Sequence, residues 1–419
     1  DAAQTTFTDL VIGAVTTELT SVAFPFGAAA VGNIINITSG TGFTVGRYEV
    51  VSVSVVTATM DRSVGTGGST GGNGKLGGAV STIGTATGVA VGNNTIWVKS
   101  ATYTITVGLS VIAGGSTATR LLGYTTTRGD NGKPTISTTT VIQMVVLNHA
   151  TEMRNFIIDG TNTAGGAGGV QVVGSQAMVE NCICQNFSSS IALRLDGARS
   201  GALNCEVKNC SYSDKNVLMS ANTYLIHCSV HDTTNGDAIV AANGIYIFGC
   251  AIYDIGGAAK RGITAESVGL YVVNCIIENC SGNGIHLLSL SAQGVVVRNS
   301  VIYSNGGYGI NSIDAYTDTR AFDLNYNAFG SNTSGPRNNV PAGANDVALT
   351  ADPFVDRAND NYALNNTAGG GAACRAAGFP GVLIAGGTGY IDIGALQHQD
   401  PAGGGGLLTH PGMSGGMRG

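Results

Sequence analysis

Residues 203–232 read LNCEVKNCSYSDKNVLMSANTYLIHCSVHD, and the motif LNCEVKN at the start of this stretch returns 23 residues later as IHCSVHD. The motif recurs in both directions, from residue 150 to about residue 330. Its aligned position holds Phe156, Cys182, Cys205, Cys228, Cys250, Cys275, Ser300 and Tyr326, at steps of 26, 23, 23, 22, 25, 25 and 26 residues. This regularity indicates a repeat protein.

Each repeat contains two or three short runs rich in Val, Ile, Tyr and Cys, separated by Gly, Asn and Asp. Such runs are typical of strands joined by turns. A leucine-rich repeat has a similar length but needs a helical half with leucine spacing, which is missing here. We therefore predict an all-β fold, a right-handed single-stranded parallel β-helix with three strands in each coil of 22–26 residues.

The residue before the aligned position is Asn in six repeats: Asn155, Asn181, Asn204, Asn274, Asn299 and Asn325. Asn tolerates a turn conformation and can hydrogen-bond to its equivalents in neighbouring coils, about 4.8 Å away. This column resembles the asparagine ladder of the pectate lyase and phage tailspike superfamily, which implies the same fold. His227 and Gly249 depart from the ladder, and we expect their two coils to bend differently.

Five of the nine cysteines share the aligned column: Cys182, Cys205, Cys228, Cys250 and Cys275. Their parallel Cβ atoms would stand about 4.8 Å apart, beyond the ~3.5–4.5 Å usual for a disulfide. We predict free, buried thiols that act as small apolar groups. Cys210, Cys280 and Cys374 have no obvious partners, and no CxxC motif supports zinc. No metal and no cofactor are therefore predicted.

The composition changes along the chain and predicts three parts. A small N-terminal β domain ends in a Gly-rich linker at residues 65–79, and the line NTIWVKSATYTIT resembles the opening coil of β-helix proteins. Asp392–Leu396 (DIGAL) resembles the strand that closes such stacks, and the N-terminal unit resembles segments of bacteriophage structural proteins. The predicted parts are 1–79, the β-helix 80–400 (irregular coils 80–149, regular coils 150–335, closing segment 336–400) and a flexible Gly/Met-rich tail 401–419.

The charge balance limits the partners. A net charge of −6 and a pI near 5.4 argue against a nucleic-acid partner, which favours a basic stripe. No run reaches the roughly 18 apolar residues that a membrane span requires.

Three groups of residues are candidates for a functional site. The outward face of the first strands is mostly apolar or neutral, and it lacks a polygalacturonase-like Asp trio and a pectate-lyase-like calcium cluster. Its best pair is Glu266 with His286 on adjacent coils. Asp232 and Asp254 stack about 5 Å apart at one bend, a spacing that suits a retaining glycosidase or a bound cation but also plain turn residues. Tyr224, Tyr246 and Tyr271 form a column that binds sugars or supports the sheet by stacking.

The leading functional hypothesis is a structural or adhesive protein: a virion spike, fibre or decoration subunit, on a bacteriophage or at a cell surface, with glycan or host-surface binding. The alternatives are a polysaccharide lyase or glycosidase, and an extracellular filament. An apolar stripe on the first strands predicts self-association, with a trimer favoured by the tailspike resemblance. The stripe consists of Val173, Leu218, Val240, Ala242, Leu288 and Ile313.

Overall fold

The computed structural model describes residues 5–77, 83–89, 95–111, 119–161, 168–267, 269–288, 294–314, 322–379 and 391–397. The chain divides into two compact units, Asp1–Ala86 and Thr87–Gly419. The division falls after residue 86 and not after residue 79, where the composition placed it. The predicted tail 401–419 lies outside the described residues.

The N-terminal unit contains a closed barrel of six antiparallel strands. The barrel strands are β1 (Thr5–Ile12), β2 (Glu18–Thr20), β3 (Ile34–Ser39), β4 (Gly46–Ser54), β5 (Thr57–Met60) and β6 (Gly72–Gly77). Alternate residues of β3 point inward, and a register shift in β1 turns both Phe7 and Leu10 inward, so these two and Ile35 and Ile37 form a core with almost no exposure.

Strand β6 corrects the prediction of a Gly-rich linker, because it closes the barrel by pairing with both β1 and β3. Its glycines serve close packing. A Cβ at Gly72 would lie 2.5 Å from the ring of Phe43, and one at Gly74 would lie 3.0 Å from Leu10. A Gly-rich composition here reflects a tight barrel and not a flexible connection.

The second unit is a three-sheet solenoid in which every strand pairing between coils is parallel, as predicted. The first sheet consists of β9 (Leu109–Val111), β12 (Gln143–Leu147), β15 (Gly168–Val172), β18 (Leu193–Leu195), β21 (Lys215–Met219), β24 (Asp237–Ala241), β27 (Ile263–Ala265), β30 (Ile285–Leu287), β33 (Tyr308–Ser312) and β36 (Gly335–Asn338). The second sheet consists of β7 (Thr95–Lys99), β10 (Thr119–Tyr124), β13 (Thr151–Arg154), β16 (Met178–Glu180), β19 (Gly201–Leu203), β22 (Tyr224–Ile226), β25 (Ile245–Phe248), β28 (Leu270–Val273), β31 (Val295–Arg298) and β34 (Phe322–Asn325). The third sheet consists of β8 (Thr102–Ile105), β11 (Thr135–Thr138), β14 (Ile157–Asp159), β17 (Ile183–Gln185), β20 (Glu206–Lys208), β23 (Ser229–Thr233), β26 (Ala251–Ile255), β29 (Ile276–Glu278), β32 (Val301–Tyr303), β35 (Ala328–Gly330) and β37 (Val347–Ala348).

Helix is minor in the part of the chain that the structure describes. The α-helices are α1 (Ile83–Val89) and α2 (Gly371–Cys374), and short 3₁₀ turns lie at Ala28–Ala30 and Arg357–Asn359. None of the described helices is long and apolar enough to cross a membrane.

The bend between the second and third sheets carries the predicted asparagine ladder. Asn155, Asn181, Asn204, Asn274 and Asn299 all have the left-handed conformation, with φ between 51° and 62°, and Asn181 Nδ2 donates to Asn155 Oδ1 at 2.7 Å. The expectation for the two exceptions was wrong. His227 and Gly249 have φ of 52° and 64°, so their coils make the same bend without Asn.

Asn325 is not part of the ladder, which corrects the alignment of the last repeat. Arg298 pairs with Asn325 and Val301 with Ala328, so Asn299 is followed in its column by Tyr326, which has φ of 58°. Ser300 is followed by Asn327, 27 residues later. The chain has one residue more before this bend than the sequence alignment assumed. Asn325, the Asn of the motif, is therefore the last residue of strand β34 and does not lie at the bend.

The cysteine column lies inside the solenoid, where Cys182, Cys205, Cys228, Cys250 and Cys275 are buried and free. Burial raises the pKa of the Cys228 thiol well above its ordinary value. The thiols are more than apolar filler, because the backbone N–H of Cys205 donates to Cys228 Sγ (3.3 Å) and that of Cys228 to Cys250 Sγ (3.4 Å). The thiols also donate to backbone carbonyls; Cys228 Sγ, for example, lies 3.2 Å from Ile226 O.

Later coils replace the thiol with a stronger acceptor at the same position. Cys275 N donates to Ser300 Oγ (3.1 Å), Ser300 N to Asn327 Oδ1 (3.1 Å), and Asn327 N to Asp346 Oδ1 (2.8 Å). The column therefore selects a small side chain that accepts a hydrogen bond from the preceding coil. This requirement explains why five Cys are followed there by Ser300, Asn327 and Asp346.

Residues 349–379, here called the C-terminal cover, lie on the outer face of the third sheet. An antiparallel pair, β38 (Phe354–Asp356) and β39 (Asn361–Leu364), packs Phe354 and Tyr362 onto Tyr253 and Tyr303. The DIGA segment was predicted to finish the stack as a strand, but it forms none. Instead it lies beside the same sheet, where Gly394 N donates to Asn299 O at 2.7 Å.

Candidate functional site

The outward side of the first sheet is a column of aligned side chains, one from each coil. Its members are Gln171, Arg194, Leu218, Val240, Thr264, His286, Asn311 and Asn338. This register corrects one coil of the sequence alignment, because Ala192 is fully buried and Gln171 stands beside Arg194. The face therefore carries more polar groups than the sequence indicated.

The predicted apolar stripe on this face is interrupted. Val173 (40% exposed) and Ile313 (58% exposed) are open at its two ends, but Val240 in the middle is only 3% exposed. Leu218, Ala242 and Leu288 are partly buried. The first sheet thus does not present a continuous apolar surface.

His286 occupies the centre of the polar part of the column. Its Nδ1 lies 2.8 Å from Asn311 Nδ2 and 3.2 Å from Asn283 Nδ2. Because an amide nitrogen only donates, Nδ1 accepts and the proton of the neutral ring lies on Nε2. Burial, and then the nearby Arg261, lower the pKa of His286, so the neutral ring is favoured. His286 is 7% exposed, and among the residues that the structure describes its Nε2 has no hydrogen-bond partner.

Asp237 and Arg261 lie next to His286. Thr264 Oγ1 donates to Asp237 Oδ2 at 2.6 Å, Arg261 N donates to Asp237 Oδ1 at 3.1 Å, and the Arg261 guanidinium is 3.5 Å from Oδ2. Both carboxylate oxygens of Asp237 are therefore engaged. This carboxylate orients Arg261.

Glu266, the partner predicted for His286, is held elsewhere. Its carboxylate lies 4.0 Å from Lys215 Nζ, while His286 contacts two Asn side chains. Glu266 follows directly after β27, whose Thr264 is the strand neighbour of His286, and no hydrogen bond joins Glu266 to His286. The pair supplies separate polar contacts and not a coupled acid and base.

Asp232 and Asp254 lie at the bend after the third sheet, in a column with Asn186, Asn209 and Asn279. All five have left-handed φ between 49° and 63°. Asp232 Oδ2 pairs with His231 Nδ1 at 2.9 Å, and Asp254 Oδ1 accepts from Asn279 Nδ2 at 2.5 Å. Each carboxylate has its own partner, and the turn conformation accounts for both.

The sequence analysis missed a cluster of ionisable groups on the outer face of the third sheet. His231 is buried with its ring stacked on Tyr253 (4.6 Å between centroids), and its Nε2 lies 3.0 Å from Glu206 Oε1. Burial opposes the charged ring, but Glu206 and then Asp232 outweigh it and raise the pKa of His231. This histidine is therefore an imidazolium between two carboxylates.

Glu278 lies two coils from His231 in the same column, under the C-terminal cover. It is 1% exposed, Arg357 Nη1 lies 2.5 Å from its Oε1, and the Tyr362 hydroxyl lies 3.3 Å from its Oε2. Burial raises the pKa of Glu278 to about 7, although Arg357 opposes the shift. A polar residue at the outward position of successive third strands was the signal that could have revealed this cluster.

The tyrosine column lies on the outer face of the second sheet. Tyr246 and Tyr271 stack in parallel, with centroids 4.7 Å apart and 10° between the ring planes, and Tyr224 leans over Gly201. Tyr246 and Tyr271 each cover one face of the other ring, and Tyr246 is half exposed. This geometry suits support of the sheet better than a stacking surface for sugars.

Among the described residues, no three His, Cys, Asp or Glu side chains are grouped to hold a metal ion. A cleft of about 370 Å³ lies near the C-terminal coils, between β35 and the loop before β37. Arg337 lines it, paired with Asp346 and stacked 4.2 Å over the ring of Phe329. The charged groups of this cleft, Arg337 and Asp346, are paired with each other. We therefore take the first-sheet face as the candidate site.

Comparison with known proteins agrees with the fold. The profile of the right-handed β-helix region matches residues 168–322. Pectate lyase Pel9A is similar at 12% identity and a TM-score of 0.46, over 76% of this chain and 91% of that one. The mannuronan C-5 epimerase AlgE4 A-module of Azotobacter vinelandii is similar at 14% identity and a TM-score of 0.34, over 63% and 92% of the two chains.

A polysaccharide lyase of family PL6, Pedsa3628 from Pseudopedobacter saltans, is similar at 11% identity and a TM-score of 0.34, over 68% of this chain and 94% of that one. No curated protein has a significant sequence match. Identities and TM-scores this low say nothing about a reaction. The repeat, the three parallel sheets and the family model that matches residues 168–322 together show a right-handed parallel β-helix fold.

Proposed function

We propose that this protein is a structural β-helix that binds glycans through the outer face of its first sheet, as a virion spike, fibre or decoration subunit or at a cell surface. The observation that carries the proposal is His286, a ring in a fixed tautomer whose Nε2–H donates to none of the described residues. Beside it lie the Arg261 guanidinium and the half-exposed carboxylate of Glu266. Such aligned donors and acceptors suit the hydroxyl groups of a polysaccharide.

The same geometry favours binding over turnover. Hydrolysis or elimination needs an acid and a base that reach one substrate atom. On this face Asp237 is saturated by Thr264 and Arg261, and Nδ1 of His286 already accepts from two amides. The display at a virion or cell surface is supported by the resemblance of the N-terminal unit to bacteriophage structural proteins.

Binding to an array of neutral and acidic polysaccharides tests the proposal. We expect at least one glycan to bind, and His286→Ala or Arg261→Ala to weaken its affinity about ten-fold, which is 1.4 kcal/mol. Arg154→Ala, on the second sheet, is the matched control and should bind normally. The absence of binding to every glycan on the array would refute the proposal.

A carbohydrate-active enzyme is the second candidate, favoured by the exposed Glu266 just after β27, the strand next to that of His286. The release of reducing ends or unsaturated products by the purified protein would support it. Under the binding proposal the purified protein releases neither product, and a release that Glu266→Gln abolishes without loss of folding would favour the enzyme. An extracellular filament is the third candidate, and electron microscopy of the assembled protein distinguishes it.

The trimer expected from the sequence depended on a continuous apolar stripe on the first sheet, and this stripe is interrupted at the buried Val240.

A further inference from the structure

The outer face of the second sheet carries two aligned columns of side chains. One column runs Arg120, Glu152, Met178, Gly201, Tyr224, Tyr246, Tyr271, Val296 and Asp323. The other runs Leu122, Arg154, Glu180, Leu203, Ile226, Phe248, Val273, Arg298 and Asn325.

The middle coils of these columns form an apolar surface, here called the second-sheet patch. Tyr246 is 50% exposed and every other member is partly exposed. A contiguous apolar surface of this kind, bordered by charges, marks an interaction site on a soluble protein. The patch consists of Leu203, Tyr224, Ile226, Tyr246, Phe248, Tyr271, Val273 and Val296.

Charged residues border the patch at both ends. On the N-terminal side, Arg154 Nε lies 2.9 Å from Glu180 Oε2 and also contacts Glu152. On the C-terminal side, Arg298 contacts Asp323. In the second column the sign is negative at Glu180, one coil before the patch begins, and positive at Arg298, one coil after Val273.

We infer that the second-sheet patch binds a second copy of this chain, with the two solenoids antiparallel. A two-fold axis parallel to the strands, between the coils of Ile226 and Phe248, places each coil opposite its mirror position. Ile226 then faces Phe248 and Leu203 faces Val273, so apolar groups meet across the whole patch.

The same axis aligns opposite charges. Glu180 faces Arg298 of the second copy, and Arg298 faces its Glu180, so one contact is formed twice. Arg154 lies opposite Asn325 and diagonal to Asp323. Glu152 faces Asp323, the one unfavourable alignment, and each of these carboxylates keeps its own arginine. Charge complementarity of this kind sets the orientation of an interface.

The size of the surface sets the strength of the dimer. Eight coils at about 4.8 Å cover about 34 Å, and two columns of side chains cover about 12 Å, or roughly 400 Å² on each copy. This area lies at the low end for protein interfaces, where complexes are transient. We therefore expect a dissociation constant in the micromolar range, near 10⁻⁵ M, or about −7 kcal/mol.

Sedimentation equilibrium across about 1–200 µM protein tests the inference. The average mass of the wild type should rise from 42.2 kDa towards twice that value. Glu180→Arg and Arg298→Glu should each weaken association at least ten-fold, because each places like charges opposite one another. The double variant should restore it, since it regenerates both contacts with reversed sign.

Restored association in the double variant distinguishes a contact between two copies from destabilisation within one chain. Breaking Arg154–Glu180 and Arg298–Asp323 inside a single solenoid would be additive in the double variant, and circular dichroism reports whether each variant folds. Arg62→Glu, an exposed arginine paired with Asp61 in the barrel, is the matched control and should associate like the wild type. A monomer at all concentrations, a three-fold mass, or a double variant weaker than both single variants would overturn the inference.

Discussion

Two histidines on different faces of the solenoid have opposite charge states, although both belong to outward columns of parallel strands. His231 on the third sheet lies between the carboxylates of Glu206 and Asp232 and is an imidazolium. His286 on the first sheet lies between the amides of Asn283 and Asn311 and is neutral. Each ring has one partner from the neighbouring coil, Glu206 or Asn311, and one from its own coil, Asp232 or Asn283, so both the strand spacing and the local sequence decide the protonation state.

The difference also separates two uses of a polar surface. His231 lies beside the C-terminal cover, and its charge acts on Asp360 of that cover. Arg357 of the cover binds Glu278, which lies in the same column as His231. The neutral histidine keeps a donor that no described residue uses. Ionic groups therefore hold the third sheet to the chain's own cover, whereas the proposed glycan site on the first sheet combines neutral groups with the Arg261–Asp237 ion pair.

The largest expected effect comes from breaking the ionic side of this comparison with Arg357→Ala. The change leaves Glu278 buried without its cation, and we expect a loss of about 2–4 kcal/mol in the free energy of unfolding, below the full value for a buried pair because Arg357 is partly exposed. Urea unfolding measures it. Adding Glu278→Gln should recover part of the loss, and a double variant no more stable than Arg357→Ala would contradict the ionic role.

The same substitution at both histidines compares the two faces directly. His231→Phe keeps a ring on Tyr253 but removes the cation between Glu206 and Asp232, and we expect a loss of about 1–3 kcal/mol. His286→Phe removes two hydrogen bonds to Asn side chains that can turn to water, and we expect a loss of about 1 kcal/mol or less. Equal losses at the two positions would show that the charge state of His231 does not matter.

The third-sheet cluster should also set the pH dependence of stability. Glu278 has a raised pKa of about 7, so the folded protein binds one more proton than the unfolded chain between about pH 4.5 and 7. Stability from this group is therefore full below pH 4.5 and is lost as the pH rises to 7. His231 has a raised pKa and acts in the same direction above pH 6.5.

The urea midpoint as a function of pH measures this effect. We expect Glu278→Gln to reduce the fall of the midpoint between pH 4.5 and 7, while Glu266→Gln on the first sheet serves as the control. Carboxylates with lowered pKa, such as Glu206 and Asp196, act in the opposite direction at lower pH. An unchanged slope in the Glu278→Gln variant would assign the pH dependence to other groups.

The smallest expected effect on stability belongs to Cys228→Ser, which sharpens the view of the inner column. Serine keeps an acceptor for Cys205 N–H and costs little, whereas Cys228→Ala leaves that donor without a partner and should cost about 1–3 kcal/mol. Thermal unfolding of the two variants decides between an acceptor and an apolar filler. Equal stability of the two would favour the filler.

The fold could be predicted because each coil repeats its inward positions, and a repeat of 22–26 residues in strand-forming segments fits few architectures. The strand register of individual coils was harder to predict. One added residue before Tyr326 and the buried Ala192 shifted single coils, and aligned letters alone do not reveal such shifts. Strand β6 was missed because close packing and a flexible loop both favour glycine.

The candidate sites were less predictable for a different reason. Asp232, Glu266 and His286 could be placed on outward positions, but their partners depend on residues one coil or more away. The cluster around Glu278 requires Arg357, which is 79 residues distant in the chain. No periodic pattern connects these two segments, so their contact arises only when the C-terminal cover packs on the third sheet.

The column that contains the cysteines gives the solenoid a direction of growth. In the five contacts from Cys205 to Asp346 the donor belongs to one coil and the acceptor to the following one. The two ends of the stack are therefore not equivalent. During synthesis from the N-terminus, the newest coil always exposes an unmet N–H until its successor arrives, and Asp346 supplies the terminal acceptor. Truncation before Asp346 should thus be worse than removal of an equal length from the first coils.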